Sequence, residues 1–185
     1  MSVFIKAKPA GVDITIQSAQ KYLYAELNKT WGTGDSTLDA YGRIYRNQSN
    51  DGYIPEAYDG KSEYKEVFFD DLKSGLFFFL LGEKQEYNGG LFTPVAIIFE
   101  VNIPLIKPGY AWRADEEIRT DVELLCHGNR LKGLGFTLKG VETGIDSVFR
   151  EFSGWRKEKG IKYGDEHPYH CFRLNFNLLY TISNC

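Results

Sequence analysis

The chain reads as an α+β domain, a mostly antiparallel sheet with two or three helices packed on one face. Three observations predict this. Residues 93–103 and 170–180 alternate apolar and polar positions, so each wants one buried face. Two other segments, Ile14 to Leu27 and Arg113 to Cys126, carry apolar residues at helical spacing instead. Between them, strand-like runs follow one another through short turns, which favours hairpins. At 185 residues a single domain, 1–185, is the default and has room for a substantial core. The chain has no internal repeat, low-complexity tract or linker.

The elements are expected in the following order. Ile16, Ala19 or Gln20, Leu23 and Leu27 form the stripe of the first helix, with Asp13 as its N-cap. Trp31 extends the stripe by a turn, and Gly32 to Ser36 breaks it. Tyr41 to Arg46 predicts a strand, and Asn50-Asp51-Gly52 predicts a turn. Tyr53 to Tyr58 is extended, with Pro55 suiting an edge. Tyr64 to Phe69 predicts another strand. Leu76 to Leu81 is apolar throughout, so it belongs in the sheet centre, buried on both faces. Along Thr93 to Ile103, Val95, Ile97, Phe99, Val101 and Ile103 share one face, and Ala96, Ile98, Glu100 and Asn102 the other.

Ala114, Ile118, Val122 and Leu125 make the stripe of the second helix, with acids in its first turns, where they complement the dipole, and Gly128 as its stop. Phe136 to Val141 is a short strand. Ile145 to Phe152 is a short helix burying Ile145, Val148, Phe149 and Phe152, and Gly154-Trp155 through Asp165 reads as a polar loop. In the last strand Phe172, Leu174, Phe176, Leu178 and Tyr180 face the core. Arg173, Asn175 and Asn177 form a polar face open to a neighbouring subunit or a helix.

Composition narrows the function classes. The net charge is −3, and no stretch is dense enough in Lys and Arg for a nucleic-acid footprint. Three widely spaced cysteines, Cys126, Cys171 and Cys185, fit a reducing compartment better than a disulfide framework. Leu76 to Leu81 is far short of the roughly 20 apolar residues that cross a bilayer, and the first residues lack a signal peptide's apolar region. Folding in a cytoplasm, away from membranes, is the expectation. Aromatics reach 15%, with 13 Phe and 12 Tyr, enough for a β-rich core with some left for an interface.

Catalytic signals are sparse. His167, His170 and Cys171 resemble a fragment of a zinc site, but strand alternation sends His167 and His170 to opposite faces and no further ligands accompany them. No metal, cofactor or catalytic residue is therefore assigned. Cys126 ends an apolar stripe and reads as a buried small residue rather than a nucleophile. Asp70-Asp71 and Asp115-Glu116-Glu117 could serve a hydrolase or bind a cation, yet they sit where turns and helix starts place acids.

The layout resembles small bacteriophage tail-terminator, tail-completion and neck-ring proteins, and is similar to those of phages and prophages from Bacteroidetes-type hosts. The resemblance rests on Ile14 to Leu27 with Trp31, Tyr41 to Asn47, Asp51 to Glu56, Glu63 to Asp71, Arg113 to Val122 and the strand His167 to Tyr180. It implies a non-enzymatic ring subunit, hexameric, at the head–tail junction or tail-tube end. The subunit would assemble in the host cytoplasm and then reside in the virion. Partners would be copies of itself and other neck or tail proteins, with DNA only passing through a mildly negative lumen. Loops bearing Tyr53, Tyr58 and Tyr87, and the strand face Arg173, Asn175 and Asn177, are the expected contacts. Two alternatives stand beside it: a small hydrolase or carbohydrate-active domain using acidic residues, and a binding module with an aromatic surface.

Overall fold

A computed structural model describes residues 3–34, 36–61, 63–87, 90–110, 112–155 and 165–180; of Tyr87, Gly90 and Leu91 it describes the backbone. The fold is α+β with a large, mostly antiparallel sheet. Chain order is β1 (Val3–Phe4), α1 (Val12–Trp31), β2 (Leu38–Ser49), β3 (Gly52–Tyr58), β4 (Tyr64–Glu66), β5 (Gly75–Leu81), β6 (Gln85–Tyr87) and β7 (Gly90–Asn102). Then come α2 (Ile103–Ile106), α3 (Asp115–His127), α4 (Asn129–Gly133), β8 (Phe136–Thr143), α5 (Ile145–Val148) and β9 (Tyr169–Tyr180). Across the sheet the strands run β4-β3-β2-β5-β7-β9-β8, with β1 beside β2 and β6 beside β7. Pairing is antiparallel except at β1–β2 and β2–β5.

Both faces of the central strands are buried, as the unbroken apolar run of β5 requires. On one face Phe77, Phe79, Ile97, Phe99, Phe172, Leu174 and Phe176 meet Ile16, Leu23 and Leu27 of α1 and Ile118, Val122 and Cys126 of α3. On the other, Leu76, Phe78, Ile98 and Cys171 meet Val67, Phe69, Val148, Phe149, Phe152 and Trp155. The helices α1 and α3 and the closing strand β9 lie where the sequence places them. The helices do not all gather on one face, however: α5 and the turn after it lie opposite α1 and α3. The apolar side chains at 148, 149, 152 and 155 have nowhere else to be buried once α1 and α3 cover the first face.

Other local expectations change too. Gly11, not Asp13, precedes the first helix and makes no side-chain cap. Asp13 sits in the first turn, paired with the Lys6 ammonium at 2.7 Å, where its charge favours the helix N-terminus. Trp155, expected in a polar loop, is buried, and its indole N–H donates to the Val67 carbonyl at 3.2 Å. Residues 156–164 of that loop lie outside the described residues. No helix among the described residues is long and apolar enough to cross a membrane.

The hairpin β2–β3 leaves the main sheet at a register shift between Ala40 and Arg43 and folds over the second face. It is seated backbone to backbone: the Gly154 amide donates to the Tyr53 carbonyl at 2.9 Å, and a Cβ on Gly154 would lie 2.5 Å from the Gly52 carbonyl carbon. Gly154→Ala is accordingly expected to cost about 1–3 kcal/mol by overpacking, read as a lower urea midpoint. An unchanged midpoint would show that the hairpin does not rest on this turn.

Candidate functional site

Two unlike surfaces lie at opposite ends of the central strands, on the face away from α1. The first is a cleft of about 420 Å³ where β5 ends and β7 begins. Leu80 and Ala96 form its floor, and Arg46, Lys139, Glu151, Arg173, Asn175 and Asn177 supply its polar lining. Lys139 reaches the rim through a β-bulge: Leu138 pairs with Phe176 and Gly140 with Asn175, which leaves Lys139 without a partner in the ladder. Arg46 arrives from the hairpin, its guanidinium 4.2 Å from the Tyr53 ring centre. Neither Arg46 nor Lys139 makes an ion pair among the described residues.

One wall of the cleft is a closed polar circuit. Arg173 is 6% exposed. Its Nη1 reaches the Glu151 carboxylate at 2.6 Å, and its Nε donates to the Asn175 side-chain oxygen at 2.8 Å. The Asn175 amide donates to Glu142 at 2.9 Å, and Arg150 joins Glu142 to Glu151. The Arg150 guanidinium beside Glu142 holds its carboxyl below the usual carboxylate range. A buried arginine of this kind is retained only with partners, and here α5 and the residues after it provide them. The polar face of β9 is thus covered by a helix at Arg173, while Asn175 and Asn177 remain half-buried on the cleft wall.

The second surface is the turn at 67–74. Val67 and Phe69 are buried, while Phe68 is 58% and Leu72 88% exposed. The turn is pinned on both sides. The Val67 amide donates to Pro55, Lys73 pairs with Asp39 at 2.6 Å, and the Ser74 amide donates to Thr37. Asp70 Oδ1 accepts from the Leu72 amide at 3.0 Å, which fixes the turn tip. Two large apolar side chains are therefore held in solvent by a rigid support.

Near the same end of the sheet, His170 Nδ1 lies 2.6 Å from Asp165 and 3.7 Å from Asp115. Ligand atoms of these three lie within 4.8 Å of one another, a spacing a cation could use. Arg113 already holds both carboxylates, Asp115 at 2.5 Å and Asp165 at 2.9 Å, so the cluster carries its own cation. His170 stacks on Phe172, Cys171 packs among the opposite face's core residues, and His167 is exposed; the three do not converge. Asp165 and Arg113, 52 residues apart, had no sequence signal linking them.

Of the expected contact residues, Tyr53 is exposed beneath Arg46, and Arg173, Asn175 and Asn177 share the cleft. Tyr58 is half-buried, and its hydroxyl donates to the Lys61 carbonyl at 3.0 Å. The side chain of Tyr87 lies outside the described residues. Lys139 and Arg46 were missed because a bulge and a bent strand placed them, and neither has a period. Compared with known protein families and with curated proteins, the chain matches no family and no curated protein.

Proposed function

We propose that the chain is a non-enzymatic ring subunit of a phage virion, of the tail-terminator or neck-ring kind, assembling into a hexamer with other neck or tail proteins as neighbours. The observation that carries this reading is the pairing of a cationic cleft and a rigid apolar turn at opposite ends of one sheet. A head-to-tail ring needs two different surfaces on each copy, held at a fixed angle. A sheet buried on both faces supplies that rigidity. The α+β layout, with α1 and α3 on one face and a long closing strand, agrees with the resemblance in sequence.

The hydrolase alternative has less to work with. Asp115 and Asp165 are tied to Arg113, Glu116 is tied to Arg119, and Asp70 supports its own turn. Light scattering after size exclusion, over rising protein concentration, is expected to show one closed six-copy species, with rings in electron micrographs. A monomer at every concentration, with no rings on the grid, would overturn the reading.

A further inference from the structure

We propose that the 68–72 turn of one copy docks into the Arg173 cleft of the next. This rests on the ring reading and names its contact. The occupant is a second copy of this chain, chosen by charge and by shape. Arg46, Lys139 and Arg173 face the cleft against Glu151 alone, a local positive excess in a chain of net charge −3. The turn offers the opposite: Asp70, which makes no ion pair among the described residues, between the exposed side chains of Phe68 and Leu72. Leu80 and Ala96 give the cleft an apolar floor for such side chains. Exposed apolar groups on a rigid support mark interaction surfaces, and complementary charge sets register and encounter rate.

Position argues in the same direction. The turn leads into Gly75 at the start of β5, and the cleft begins at Leu80 near its end. At about 3.3 Å per residue the two lie on the order of 20 Å apart along the strand, too far to meet within one copy. Contact between unlike surfaces is heterologous, so it propagates head to tail and closes when the rotation per copy divides the circle.

The test uses the full chain with Cys185→Ser to remove the terminal thiol. Leu72→Cys and Lys139→Cys copies are mixed and oxidised; the expected product is a disulfide between unlike copies and none from either alone. Separately, Lys139→Glu is expected to weaken assembly at least tenfold, and adding Asp70→Lys to restore it. Lys139 is exposed, whereas Asp70 is half-buried and holds the Leu72 amide, so the double variant counts only where its thermal melting matches the wild type. Rings that form normally with Lys139→Glu and Leu72→Asp, with no mixed disulfide, would overturn the docking and leave the ring reading standing. Wild-type chain that never assembles would overturn both.

Discussion

Phe99→Ala is expected to be among the most destabilising single changes in this chain, lowering stability by about 3–5 kcal/mol. Phe99 is fully buried at the centre of β7. Its ring stacks on Phe172 of β9 at 4.8 Å and on Phe77 of β5 at 5.2 Å. Register makes the triple stack possible, because Phe77, Phe99 and Phe172 are direct cross-strand partners. Aromatic pairs of this kind add about 0.5–1.5 kcal/mol each beyond area burial. Removal of the middle ring therefore loses two such contacts and leaves a cavity that flanking strands, each hydrogen-bonded on both sides, cannot collapse into. For a chain of this length each kcal/mol shifts Tm by about 2–4 °C, so a fall of roughly 6–20 °C is expected. Calorimetry checks it. A fall below about 3 °C would mean that the stack contributes little and the core repacks freely. Phe99→Leu, which keeps most of the volume, should recover a large part of the loss.

The parts of the fold with a clean period were legible. The run of β5, the alternation of β7 and β9 and the stripes of α1 and α3 each depend on residues within one element, and each lies where the sequence puts it. What escaped depends on residues brought together from far apart. Glu100 and Asn102 share a face with Ala96 and Ile98, and alternation alone leaves open whether that face meets water. Phe69, Phe149, Phe152 and Trp155 cover it, and three of those four come from beyond the next helix and strand. The cleft was half legible: Arg173, Asn175 and Asn177 follow from strand alternation. The bulge at Lys139 and the bend that delivers Arg46 leave no periodic trace, and the partnership of Arg173 with Glu151 spans 22 residues.

Glu100 gives the second large effect, and its size depends on pH. The side chain is fully buried between Leu76 of β5 and Cys171 of β9, and neither carboxyl oxygen has a hydrogen-bond partner among the described residues. Burial, reinforced by the charge of Asp71, pushes its carboxyl well above the usual range. The adjacent Cys171 thiol is pushed up by burial as well. The unfolded chain releases the Glu100 proton near pH ~4.3, whereas the folded chain keeps it to higher pH. The folded state then binds more protons across that window, so its stability is fully present below the unfolded pKa and falls as pH rises toward the folded one. The slope for one proton is about 1.4 kcal/mol per pH unit. Glu100→Gln keeps the shape without the proton, and the stability of the wild type relative to this variant is expected to decline as pH rises above the unfolded value of about 4.3. Glu100→Met also removes the unsatisfied polar group and is expected to gain about 1–3 kcal/mol. Urea unfolding of the three proteins at each pH measures both effects. Parallel stability curves for wild type and Glu100→Gln would show that Glu100 titrates alike in the folded and unfolded chain. That outcome requires water to reach the carboxyl between β5 and β9.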